Sequence, residues 1–126
     1  MRTMQEVFDN AWHGVLGQKR PSATAAGRCL YRGPNGARCA VGWSISDSAY
    51  KSDMEESGCI TEEILSCVFL PNAEESVSDT AYSFLRQLQE AHDISAQEEG
   101  KMFLLAFREA MQELAEKYNL TIPQSA

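Results

Sequence analysis

Four cysteines (Cys29, Cys39, Cys59, Cys67) and two histidines (His13, His92) are the residues of this 126-residue chain best equipped for chemistry. Together they hold enough soft ligands for a tetrahedral zinc site. Their spacing argues against one. Structural zinc draws paired ligands from a tight C-x-x-C knuckle, whereas nine residues separate Cys29 from Cys39 and seven separate Cys59 from Cys67. Buried cysteine acting as a small hydrophobe is the commoner fate. No metal is expected, and the same six residues are the ligand candidates if zinc is found.

A cysteine nucleophile is the second chemical reading. Cys39 stands beside Arg38 and near Arg32, and nearby cations favour a thiolate. His92 and Asp93 offer a base and its orienter, but successive helical residues point in different directions, which argues against that use of the pair. A packed thiol and a histidine at the core edge are the preferred reading. Gly33 and Gly36 do not open a helix after a strand, so no phosphate-binding loop and no nucleotide cofactor is implied.

These residues need elements to position them, and the clearest is a chain reversal. Cys29–Arg32 and Ala37–Val41 read as short strands around Gly33-Pro34-Asn35-Gly36, where Pro34 presets a negative φ and Asn35 and Gly36 tolerate a positive one. The expectation is an antiparallel β-hairpin over about residues 29–41. With Arg32 opposite Ala37, Leu30 faces Cys39 and Cys29 faces Ala40. The two thiols then lie on opposite faces and do not bridge.

This segment resembles a family of small uncharacterised proteins of bacteriophages, prophages and their hosts. The matching residues are Cys29, Tyr31, Arg32, Gly33, Gly36, Cys39, Ala40, Val41, Gly42, Ile45, Asp47 and Tyr50, a C-x-Y-R-G-x-x-G-x-x-C-A-V-G hairpin motif. Met4–Leu16 and Leu88–Asp93 extend the resemblance over most of the chain. It departs at Trp43, Ser44 and Ser46, where the family pattern has a smaller residue, a leucine and a proline. The resemblance implies a phage-associated setting and no particular chemistry.

Helical signals dominate elsewhere. Thr3-Met4-Gln5-Glu6 is a capping box, and Met4, Val7, Phe8, Ala11, Trp12, Val15 and Leu16 form one stripe before Gly17, read as a stop, with His13 at the stripe's edge. Thr61 precedes a short apolar helix that Pro71 ends. Ser78 or Asp79 caps a third helix with Ala81, Phe84, Leu85, Leu88 and His92 on one face, ending near His92. Ser95-Ala96-Gln97-Glu98 reads as a second capping box, opening a long helix with Phe103, Ala106, Phe107, Ala110, Leu114 and Tyr118 inward. Asn119 suits a left-handed cap with Leu120 packing back. The fold expected is α+β but mainly α: three larger helices, a short helix and the hairpin, in a single domain over 1–122 with a tail at 123–126.

A hydrophobic content of 44% and a charged content of 23% fit a globular chain, and no apolar run approaches the ~20 residues that span a bilayer. A cytoplasmic setting in the bacterial host, with reduced thiols and no membrane, is expected. The net charge of −7 is polarised. Between Asn10 and Ser46 lie five cations (Lys19, Arg20, Arg28, Arg32, Arg38) and no acid; between Asp47 and Asp79 lie nine acids, including Glu74 and Glu75, against Lys51. With so few cations and a pI near 4.8, direct nucleic-acid binding is not expected.

The expected function is a non-enzymatic protein that binds a host protein and inhibits host defence machinery through its acidic surface. Candidate partner-binding residues are Tyr31, Arg32 and Arg38 on the hairpin and Glu55, Glu56, Glu62 and Glu63 in the acidic stretch, whose charge reversal is expected to spare the fold. Arg32 has an alternative role, pairing with Asp47 to fix the hairpin. The alternative functions are a zinc-stabilised nucleic-acid module on the hairpin and a cysteine-dependent enzyme.

Overall fold

A computed structural model of the chain describes residues 3–24, 28–56, 60–69 and 79–123. Its helices are α1 (Met4–Gln18), α2 (Glu62–Phe69), α3 (Asp79–Ser95) and α4 (Gly100–Tyr118). The molecule is mainly helical. Thr3 opens α1 through the expected capping box: its hydroxyl accepts from the Glu6 amide at 3.1 Å, and Glu6 accepts from the Thr3 amide at 3.2 Å. Val7, Phe8, Ala11, Trp12 and Val15 carry the stripe into the core. α1 runs through Gly17 and ends instead with Lys19 in the left-handed region at φ 62°. Thr61 caps α2, its hydroxyl accepting from the Ile64 amide at 3.2 Å. Pro71 and Ser78 lie outside the described residues.

α3 and α4 form an antiparallel pair. Gln87, midway along α3, donates to the Tyr118 hydroxyl at the far end of α4 at 2.7 Å, while His92 near the end of α3 packs edge-on against Phe103 near the start of α4, centroids 6.1 Å apart. Between them Phe84, Leu85, Leu88, Phe107 and Met111 are fully buried, each contributing about 1.5–3 kcal/mol by leaving water. α2 joins through Phe69, 6.5 Å from Phe84. α1 packs against both long helices, and Gln5 exchanges two 2.9 Å bonds with the main chain of Thr121.

Two helix ends differ from expectation. α3 passes His92 and reaches Ser95, whose buried hydroxyl donates to the Ala91 carbonyl at 2.6 Å. A serine hydroxyl bonding back to residue i−4 is the competing use of a potential cap, so Ser95 closes α3 and does not open α4. α4 starts after Glu99, which makes no side-chain cap, and Gly100 takes φ 54°. At its other end Asn119 adopts φ 56° and the Leu120 amide donates to the Ala115 carbonyl at 2.8 Å, the Schellman end expected.

The chain reverses at Gly33–Gly36, but no extended strand forms among the described residues. Pro34–Gly36 is a single 3₁₀ turn with Asn35 at φ 58° and Gly36 at φ 78°. The Gly33 amide donates to the Ala37 carbonyl at 2.8 Å, and one isolated antiparallel bridge joins Arg32 to Arg38, a register one residue beyond the Arg32–Ala37 pairing expected. Beyond it the chain coils. Cys39, Ala40 and Val41 are all fully buried, a run that alternating strand geometry cannot place on one surface, and the amides of Trp43, Ser44 and Ile45 turn back onto Cys39, Val41 and Gly42. Cys29 bridges to Ala23 instead, flanked by bonds from the Thr24 amide to Arg28 and from the Leu30 amide to Ser22. A strap, residues 22–24 and 28–32, therefore replaces the hairpin ladder. A methyl group on Gly42 would fall 2.2 Å from the Tyr31 carbonyl oxygen, so the strap and the following turn meet backbone to backbone.

Among the described residues no helix is long and apolar enough to cross a membrane.

Candidate functional site

The arginines at the reversal converge on one exposed acid, Asp47. Arg32 meets the Asp47 carboxylate at 2.7 Å, donates to the Ile45 carbonyl at 3.0 Å, and lies 4.6 Å over the Tyr50 ring. Arg38 reaches the same Asp47 oxygen at 3.3 Å and sits 5.1 Å from the Trp43 ring centre. Its main chain is clamped by the Gln18 amide through bonds of 3.0 and 2.8 Å. Arg32 thus takes the structural role offered by Asp47. Tyr31 is buried in the core, so its ring presents no stacking surface.

Glu55 is also drawn inside. Without a ladder the amides of Tyr31 and Arg32 lack strand partners, and the Glu55 carboxylate accepts both, at 2.8 and 3.0 Å. The same carboxylate accepts from the Tyr50 hydroxyl at 2.8 Å, while Arg28 donates to the Glu55 main-chain carbonyl. Burial, with Glu55 beside it, pushes the Tyr50 phenol up to about 12. Glu55 therefore holds the strap to the Ser52–Glu55 turn, so its charge reversal is expected to disturb the fold rather than spare it.

The three described thiols are all raised above the ordinary thiol range. Cys39 is fully buried, accepts from the Gly42 amide at 3.3 Å, and is raised well above the ordinary thiol range by burial. Cys29 is pushed up to about 12 by burial and by the neighbouring Asp93, and burial raises Cys67 as well. Cys59 lies outside the described residues. No cation effect lowers Cys39 as the nucleophile reading requires.

Of the six zinc candidates the structure brings together only Cys29 and His92, joined by Asp93, with ligand atoms within 4.8 Å of one another among the described residues. His13 sits on the exposed side of α1, lining a shallow groove with Trp43. The hydrogen bonds of His92 decide what the trio can do. Its Nε2 lies 3.0 Å from the Ser22 amide nitrogen and must accept. The proton then belongs on Nδ1, which donates to Asp93 Oδ1 at 3.0 Å. Neither ring nitrogen keeps a free lone pair for a metal or for a thiol proton, so the trio fits a metal poorly. Asp93 also accepts from Gln89 at 2.9 Å. His92 works as a buried latch, fastening the strap to α3, and its contact with Asp93 shows that these adjacent helical residues do meet.

Two surface features remain. Asp53, Glu56 and Glu63 line a shallow depression of about 400 Å³ with Met54 and Thr61. Glu62 is exposed beside them, and the nearest cation, Lys51, reaches Glu63 at only 3.9 Å. Glu74 and Glu75 lie outside the described residues. The second feature is a cleft of about 560 Å³ between the strap and α3, with Arg28, Cys29 and Tyr31 on one wall and Tyr82, Arg86 and Asp93 on the other. The sequence reading missed Tyr82 and Arg86; their only signal was a place on the polar side of the α3 pattern. Comparison with protein-family models, with curated proteins and with solved structures returned no match.

Proposed function

We propose that this chain is a non-enzymatic binding protein of phage or prophage type that captures a host protein through the acidic face built by Asp53, Glu56, Glu62 and Glu63. The observation that carries the reading is the convergence of two elements on one surface. The Ser52–Glu55 turn and its following residue bring Asp53 and Glu56 to the same depression as Glu63 at the start of α2. These carboxylates stand in water with Lys51 paired to Glu63 at 3.9 Å, an arrangement that stabilises the fold little and leaves a net negative face that attracts a basic partner over about 10 Å at moderate salt. A face of closely set carboxylates also resembles a run of phosphates, so a nucleic-acid-binding surface on a host defence protein is a fitting partner. The protonated thiols and the occupied nitrogens of His92 support the non-enzymatic side of the reading. Its cytoplasmic setting in the bacterial host is part of the proposal.

The test is capture from bacterial lysate by the wild-type chain and by the variant carrying Glu56→Lys, Glu62→Lys and Glu63→Lys, with folding checked by circular dichroism. The reading expects a stoichiometric protein on the wild type that the folded variant loses. Equal capture by both would remove the acidic face from the account.

A further inference from the structure

Independently of the acidic face, we propose that the cleft between the strap and α3 binds a small aromatic carboxylate, with Arg28 and Arg86 contacting its anionic end and Tyr82 and Ile60 its apolar body. Two carboxylates of the cleft are already engaged by scaffold donors. Glu55 accepts from three donors, the Tyr31 and Arg32 amides and the Tyr50 hydroxyl. Asp93 accepts from Gln89 and from the His92 ring. Both are held in this way, although the Asp93 side chain stays 42% exposed.

The cleft's guanidinium groups keep unused donors. Among the described residues Arg28 has no carboxylate partner and donates only to a main-chain carbonyl, that of Glu55, so its charge is not neutralised. Arg86 has no hydrogen-bond or ion-pair partner among the described residues and is exposed on α3. Glu90, one turn further along α3, lines both this cleft and the groove between α3 and α4, which places it on the ridge between the two. The lining therefore carries two positive charges, Arg28 and Arg86, against three negative ones, Glu55, Asp93 and Glu90, and the two guanidinium groups hold its unused donors. Cys29 stays protonated at neutral pH and adds no charge to the floor.

That balance selects the ligand. A planar carboxylate matches a guanidinium fork in two parallel bonds and brings a single negative charge. A phosphate monoester brings nearly two, which Glu90, Glu55 and Asp93 around the same cavity would oppose. Tyr82, 38% exposed, is the one aromatic ring of the cleft that reaches solvent, while Tyr31 and Ile60 form a buried apolar wall. The volume of about 560 Å³ lies within the usual range for small-molecule sites.

The experiment is a ¹H–¹⁵N NMR titration of the full chain with sodium benzoate, phenyl phosphate and benzyl alcohol as separate probes. Benzoate is expected to give saturable shifts at Cys29, Tyr82 and Arg86, with a dissociation constant on the order of millimolar, as so small a ligand permits. Arg86→Gln, which removes no contact among the described residues, is expected to fold as the wild type and to weaken benzoate roughly tenfold. Arg28→Gln should weaken it too, with its amide spectrum reporting whether the strap stays docked. Absence of saturable shifts with benzoate, equal shifts with benzyl alcohol, or unchanged benzoate affinity in Arg86→Gln would each overturn the proposal. Tighter binding of phenyl phosphate than of benzoate would overturn the choice of carboxylate.

Discussion

The Glu55 carboxylate lies 2.8 Å from the main-chain nitrogen of Tyr31, and this one contact replaces what a β-ladder would have supplied to the strap. Its other oxygen takes the Arg32 amide and the Tyr50 hydroxyl, so a single side chain satisfies three donors, two of them main-chain. An acid in the most negative part of the sequence is thereby a structural group, and its neighbour Glu56 is exposed.

Glu55→Ala is therefore expected to destabilise the protein by about 2–4 kcal/mol, because stranded amides and a phenol cost about 1–3 kcal/mol each when left unpaired and water recovers part of that loss. Glu56→Ala should change stability by no more than about 0.5 kcal/mol. Urea unfolding of the two variants checks the contrast. Equal midpoints would contradict the role given to Glu55.

Stability should decline on the alkaline side. Tyr50 rises from 10.0 to about 12 and Cys29 from 9.0 to about 12 on folding, so the folded state holds both protons more tightly than the unfolded chain. Their contribution is complete below about pH 9 and is lost as pH climbs towards about 12. Thermal melts between pH 8 and 11 should show the decline, and Tyr50→Phe should flatten it. For the same reason Cys29 and Cys39 should alkylate with iodoacetamide at pH 8 far more slowly than free cysteine, as mapped by peptide mass spectrometry. Rapid labelling of either would contradict the protonated state.

Gly14 and Gly17 separate a packing constraint from simple helix propensity. A methyl group on Gly14 would lie 2.3 Å from the Trp43 ring, whereas one on Gly17 meets nothing within 4 Å. Gly14→Ala is expected to cost about 1–3 kcal/mol and to shift tryptophan emission to the red as the ring is displaced. Gly17→Ala should stabilise α1 by up to about 1 kcal/mol. Thermal denaturation followed by fluorescence distinguishes the two.

Local signals were legible in the sequence. The capping box at Thr3 and Glu6, the Thr61 cap and the left-handed Asn119 involve residues within a few positions of each other, and the apolar stripes carry their own period. The pairing of Arg32 with Asp47 was also within reach, being the nearest acid after a run of cations. The strap was not, because its amides find a partner more than twenty residues away in Glu55, which strand propensity around Gly33–Gly36 does not encode. Ser95 has two competing hydroxyl bonds with the same local sequence signature, and tertiary burial selects the one that ends α3. The cleft escaped notice because Tyr82 and Arg86 read as the solvent side of an amphipathic helix until the strap is laid across it.

The most direct test of the central claim, that the acidic face is the interface, is hydrogen–deuterium exchange of the captured complex against the free chain. Protection is expected over the Ser52–Glu55 turn and the first turn of α2, with the Pro34–Gly36 turn unchanged. Protection confined to the Pro34–Gly36 turn and the strap, with Asp53 to Glu63 exchanging as in the free chain, would contradict that claim.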